Sequence, residues 1–245
     1  MAVDELIQLI EQRGLKENEA LPSTAELAEA LDVSRTVVRE AIAELAGQGL
    51  LQRRQGRETV VTMPDSSQLE RFLRLRFVVR GADFDNLQEY REVIEVGAAR
   101  LAAERATDDD VDKIAERLKT MRAASTDDAL HETDQDFHRE VARASHNDMV
   151  LLNIDAITPL LFQLRKRAWS GWTKSGRGVK PIVDAHAAIL ERIKEHDPEG
   201  AMAAMKEHLT QAAEGLRLRP GSKRSPVANT VRPRAAQRPH ARTPD

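Results

Sequence analysis

Asp134 and His138 stand four residues apart in a stretch of helical periodicity, so both project from one helix face. His186 follows 48 residues later and His208 another 22 beyond it, each flanked by apolar residues: Ile182, Ile189 and Ile193 around the first, Met202, Met205 and Leu209 around the second. One carboxylate and three imidazoles from three helices can converge inside a bundle and hold a metal. That donor set suits zinc foremost, with nickel, manganese or iron as alternatives, rather than calcium or magnesium. His131, His146 and His196 read as bystanders. Arg91 stands one turn from Glu95, with which its guanidinium can pair. Asn147 either reaches the same pocket or caps the helix that follows it.

A second group of residues suits a different chemistry. Residues 33–57 carry five arginines (35, 39, 53, 54 and 57) against Glu40 and Glu44, whereas residues 1–32 carry two basic and eight acidic side chains. The net charge of −3 hides this contrast, and local positive charge is what binds phosphate. Ser34 is positioned to cap a helix from Arg35 to about Gln48, in which Val38, Ile42 and Leu45 fall three or four apart and face inward. Arg35, Thr36 and Arg39 then lie on the opposite, N-terminal face, the end with which a recognition helix contacts base edges in the major groove. Gln55-Gly56-Arg57 forms the turn of a hairpin between strands at 51–54 and 59–62.

The elements that must position these groups follow from punctuation and periodicity. Helices are expected at 3–13, 24–31 and 35–48, then at 66–79, 84–105, 108–124, 127–145, 147–169, 179–196 and 198–217. Asp32-Val33-Ser34 reads as a tight turn, Thr107 as a cap, Asp197-Pro198 as a cap followed by Pro at the first helical position, and Gly171 to Gly178 as a loop. Trp169 and Trp172 fall near that loop and could line a pocket mouth. The fold class is therefore mainly α: a winged helix-turn-helix over residues 1–63, with three helices and a small β-hairpin wing, then an all-α antiparallel helical bundle over 64–218. Residues 219–245, with five prolines and seven basic residues against one acid, read as a disordered basic tail.

Composition narrows the function. With no cysteine, thiolate nucleophiles, disulfides and Cys-type zinc sites are excluded. Aromatics make up 3%, too few for a stacking surface that binds RNA or single strands. No apolar run approaches the roughly 20 residues of a membrane span, and residues 1–6 lack the order of a signal peptide, so a cytoplasmic protein with no membrane partner is expected.

The run LPSTAELAEALDVSRTVVREAIAELAGQGLLQRRQGRETVV resembles the winged helix-turn-helix of the GntR family along its full length. The resemblance implies a homodimer that binds a short palindromic operator in double-stranded DNA, with Ser34, Arg35, Thr36 and Arg39 at DNA-contacting positions and Gln55 and Gly56 at the wing tip. Two positions depart from the family pattern: Thr24-Ala25 stands where Glu-Arg is usual, and Gly56-Arg57-Glu58 where the wing often reads Gly-Arg-Gly. Residues 66–217 resemble the FCD domain, the effector domain of the FadR-like subfamily. The resemblance is carried by Glu89-Tyr90-Arg91-Glu92-Val93-Ile94-Glu95, Ala98-Ala99, Leu101-Ala102-Ala103, Asp134 to His138, Asn147, His186 and His208; Ser145-His146-Asn147 replaces the family's Ser-Gly-Asn. It implies a divalent metal on Asp134, His138, His186 and His208, and a small carboxylate effector, for which Arg91, matching the arginine of the domain's signature helix, is the candidate contact because a planar guanidinium suits a carboxylate. A regulator, a repressor by preference, is the leading reading. A metalloenzyme with an accessory DNA domain and an architectural DNA binder with a structural metal are the alternatives.

Overall fold

The structure, a computed structural model, describes residues 2–54, 58–81, 84–174 and 178–217. Its N-terminal unit consists of α1 (Ala2–Arg13), α2 (Thr24–Ala30), α3 (Arg35–Gly47), β1 (Leu51–Arg53) and β2 (Thr59–Val61). The strands pair antiparallel in the register Leu51↔Val61, Gln52↔Val60, Arg53↔Thr59, and Ala20 bridges to Val60. Local chemistry sets the helix starts. Ser23 and Glu26 form a reciprocal capping box at α2, and Ser34 Oγ accepts from the Val37 amide at 3.3 Å to start α3. Asp32 adopts φ 51°, which turns the chain sharply between the two helices. Leu6, Leu9, Leu27, Val38, Ile42, Leu45 and Leu51 form the core, with Val33 packed against it from the turn.

The second unit is all-helical: α4 (Ser66–Val79), α5 (Phe84–Arg105), α6 (Asp108–Ala123), α7 (Asp127–Ala144), α8 (Asp148–Lys174), α9 (Lys180–Lys194) and α10 (Pro198–Arg217). The expected caps are present: Thr107 forms a capping box with Asp110, and Asp197 Oδ1 accepts from the Gly200 amide at 2.9 Å. Buried Ala98, Ala99, Ala102 and Ala103 keep the α5 surface low, so α9 and α10 can pack against it closely. Phe137, Val141, Ile189, Ile193, Met205 and Leu209 fill one apolar cluster; Leu87, Ile154, Ile157, Leu161 and Leu164 fill another. No described helix is long and apolar enough to cross a membrane.

One boundary differs from expectation by more than two residues. Helix α8 runs past Gly171 to Lys174 instead of ending at 169. A single glycine costs a helix about 1 kcal/mol, which a long helix tolerates, so Gly171 does not end α8. The side chains of Trp169 and Trp172 lie outside the described residues, as do Gln55, Gly56 and Arg57 of the expected wing tip and the tail from 218 onward.

Candidate metal centre and DNA-reading helix

Four of the predicted site residues come together. Asp134 and His138 project from α7, His186 from α9 and His208 from α10; each offers a ligand atom within 4.8 Å of the others, and all four are buried. His186 Nε2 lies 3.1 Å from Asp134 Oδ1, and His138 Nε2 lies 3.2 Å from His208 Nε2 and 3.8 Å from Asp134 Oδ1.

The orientation of the rings shows what this geometry needs. His186 Nδ1 lies 2.8 Å from the Ile182 carbonyl, which can only accept, so that nitrogen carries the proton. On the neutral ring, Nε2 then presents a bare lone pair toward a carboxylate oxygen. His138 Nδ1 faces Glu95 Oε2 at 2.7 Å, which likewise turns the Nε2 lone pair inward. Buried lone pairs aimed at one point repel one another unless a cation sits among them. His186 Nε2 and His208 Nδ1 are buried with no hydrogen-bond partner, while Asp134 Oδ2 is ion-paired with Arg165 Nε at 3.3 Å. The residues therefore fit a divalent metal: one carboxylate and three imidazoles, two of them held by an outer acceptor.

Burial draws the His138 pKa down to about 4 despite the neighbouring Glu95 and Asp134 carboxylates. Burial also takes His208 well below its ordinary value, with the His186 and His138 rings adding to the effect. Imidazoles kept neutral in this way are competent ligands. Burial alone would raise Asp134 and Glu95, but adjacent charges reverse the sign: Arg165 beside Asp134, and Arg91, His138 and Arg165 beside Glu95, hold both carboxyls well below their usual range.

Arg91 adopts the paired role among its two expected ones. Its Nε donates to Glu95 Oε1 at 2.7 Å, and Nη2 reaches His138 Nε2 at 3.2 Å, so it also borders the metal cluster. Asn147 adopts the capping role among its two expected ones: its Oδ1 accepts from the amides of Met149 at 3.1 Å and Val150 at 3.3 Å. His131, His146 and His196 stay out of the cluster. His131 is buried edge-on against Phe162, His146 pairs with Asp110 at 2.8 Å, and His196 Nδ1 lies 2.9 Å from the Ala103 carbonyl.

Sequence reasoning missed Arg165. It lies on the same face of α8 as Leu161, four residues earlier, buried 3.3 Å from Asp134 Oδ2 and 3.4 Å from Glu95 Oε1. A basic residue in phase with the buried stripe of Ile154, Ile157 and Leu161 was the available signal.

In the N-terminal unit, Arg35, Thr36 and Arg39 are exposed at the start of α3, while Val38, Ile42 and Leu45 are buried, as the periodicity requires. Ser34 uses an oxygen lone pair for the cap, and its hydroxyl proton stays available to a phosphate. Ala25, where the family's arginine is usual, is exposed in the first turn of α2.

Two family models match the chain: "Bacterial regulatory proteins, gntR family" over residues 1–61 and "FCD domain" over residues 86–211. The chain is similar to the HTH-type transcriptional regulator LutR of Bacillus subtilis, 31% identical over 85% of this chain and 96% of that one. It is also similar to the HTH-type transcriptional repressor NanR of an Enterobacter species, 30% identical over 87% and 83%. Among solved structures, a GntR protein of Streptococcus agalactiae matches with a TM-score of 0.62 at 26% identity, covering 87% of this chain and 98% of that one. These relatives are regulators and not enzymes, and the chain belongs to the GntR family of bacterial transcription regulators, in the branch that carries an FCD domain.

Proposed function

We propose that this regulator is a homodimeric repressor whose affinity for a palindromic operator is controlled by a small carboxylate bound at a divalent metal in the helical unit. The observation that carries the reading is the convergence of Asp134, His138, His186 and His208, buried and with lone pairs facing one point. Zinc is the preferred ion. When bound, it supplies a Lewis-acidic position that an acid can occupy, while Arg91 borders the same space with a guanidinium.

On DNA, Arg35, Thr36 and Arg39 of α3 enter the major groove, Ser34 contacts a phosphate and Gln55-Gly56-Arg57 serves as the wing. The unit boundary falls at 63/64, and residues 219–245 add a basic tail. The dimer reading is supported by α4, which buries none of its residues and presents Phe72, Leu75 and Val79 at spacings of three and four, each more than half exposed. An acid controls the operator only if it prefers one arrangement of the dimer over the other. The protein acts in the cytoplasm, where its operator is.

The test is metal content and thermal unfolding of the wild type and Asp134→Ala across a panel of small organic acids. Binding of about one metal per chain, and stabilisation by an acid that disappears in the variant, are the expected results. Full metal retention in Asp134→Ala would refute the centre as drawn.

A further inference from the structure

Helix α4 presents two different faces. Phe72, Leu75 and Val79 stand exposed on one. On another, Leu73, Arg76, Phe77 and the C-cap residue Arg80 recur at spacings of three and four and line a cleft of about 340 Å³ against α5 and α8. Leu87 of α5 and Ile157 and Leu160 of α8 supply the facing apolar wall. The volume lies at the lower end of the roughly 300–1,000 Å³ of small-molecule sites, which combine an apolar lining with a few polar groups that fix orientation. None of the four candidate metal ligands lines this cleft.

The polar groups of the cleft differ in what they have left to offer. Tyr90 is committed, its hydroxyl donating to Asn153 Oδ1 at 2.8 Å. Arg76 and Arg80 are exposed, and neither guanidinium has a carboxylate partner among the described residues. Other exposed cations of the helical unit are paired: Lys113 with Asp109, Arg139 with Asp155, Lys166 with Asp128 and Lys180 with Asp184. Two like charges one turn apart on a helix repel each other. An anionic group held by both guanidiniums removes that repulsion, and an apolar body attached to it covers the walls below.

We propose that this cleft is a second ligand site, separate from the metal centre, for an amphiphilic anion: an alkyl or aryl body seated on the apolar walls, with one anionic headgroup held by Arg76 and Arg80. A neutral apolar molecule leaves the two like charges uncompensated, and a compact polar acid leaves the apolar walls wet, so both halves of the ligand are required. Helix α4 begins next to its cap Asp65, directly after the DNA-reading unit, so an occupant of the cleft packs against the helix that joins the two units.

The experiment titrates the full chain calorimetrically with octanoate, octanol and acetate, at concentrations below micelle formation, once with chelator and once loaded with zinc. About one octanoate per chain is expected to bind under both conditions, with octanol about fivefold weaker and acetate not bound in the chelated protein. The double variant Arg76→Gln, Arg80→Gln is expected to bind octanoate no better than octanol, with an unchanged urea midpoint because both positions are exposed. Lysine at both positions keeps the charge and is expected to retain the preference. Octanol binding as tightly as octanoate in the wild type, or a preference that survives the glutamine variant, overturns the proposal. Loss of octanoate binding on chelation or in Asp134→Ala assigns the acid to the metal centre, and overturns the proposal while the metal-centred reading stands. Binding of neither octanoate nor octanol also overturns it; dissociation of a dimer by Leu160→Glu would then assign the cleft to a second copy of the chain.

Discussion

The two units bury opposite kinds of residue. Among the described residues, the N-terminal unit has an apolar core with no buried polar or charged side chain, and its candidate DNA-reading groups, Arg35, Thr36 and Arg39, stand exposed on α3. The helical unit encloses Arg91, Glu95, Asp134, His138, Arg165, His186 and His208. In the first, stability and recognition lie on separate residues, so either can change without the other. In the second, the residues that would recognise a ligand also belong to the core. An ion network buried this deeply stabilises little in itself and leaves an unpaired charge wherever one member is lost. A ligand held by the buried residues of the helical unit would be coupled to its fold, and DNA held by the exposed face of α3 would not.

The largest effect that would break this contrast concerns Glu95, on which Arg91, Arg165 and His138 converge. Glu95→Ala strands two buried guanidiniums and is expected to destabilise metal-free protein by about 3–5 kcal/mol in urea unfolding. A loss below about 1 kcal/mol would show that the network relaxes or hydrates, and that the unit is less committed to its buried charges than its geometry suggests.

Acid gives the next effect. His138 titrates at about 4 in the fold and near 6.5 when unfolded, because burial disfavours its charged form, and His208 is shifted in the same direction. The unfolded chain therefore takes up protons first as pH falls. This contribution to stability is full above about 6.5 and is lost progressively as pH falls toward about 4. Glu95 and Asp134, held well below their usual values, lose their contribution only at still lower pH. Urea midpoints of chelated protein between pH 8 and pH 4.5 should fall, with the helical unit responding and the N-terminal unit, which has no buried histidine, unchanged.

In the N-terminal unit the same contrast predicts separation. Arg39→Ala is expected to leave the urea midpoint within the scatter of a surface substitution and to weaken operator binding by about 1–3 kcal/mol at fixed salt, measured by fluorescence anisotropy. Equal loss of stability and affinity would erase the distinction between the units.

The legible and illegible parts of the sequence divide along the same line. Helix spans were readable because caps such as Ser34, Thr107 and Asp197 announce themselves locally, and because Val38, Ile42 and Leu45 keep the helical period. The four candidate metal ligands were readable because Asp134 and His138 share one helix face at a spacing of four, and because their spacing to His186 and His208 matches the FCD resemblance. Arg165 was not, since an arginine on a long helix is ordinarily solvated, and only contacts across 70 residues of sequence show that it meets Glu95. The α8 terminus was misjudged because one glycine is a cost of about 1 kcal/mol and not a stop, so Gly171 stays within the helix.

The smallest effect tests whether a family glycine has been replaced at a cost. His146 ends α7 with φ 46°, the conformation for which glycine is favoured, at the position where the family sequence is Ser-Gly-Asn. Its ring offsets the strain by pairing with Asp110 Oδ2 at 2.8 Å. His146→Ala keeps the strain and loses the pair, so it should destabilise by about 1 kcal/mol. His146→Gly loses the pair and relieves the strain, and should fall within about 0.5 kcal/mol of wild type. If both variants destabilise equally, the Asp110 contact dominates and the left-handed backbone costs nothing measurable. If glycine stabilises by about 1 kcal/mol, the half-exposed pair contributes nothing, and the turn carries the full strain of a left-handed residue other than glycine.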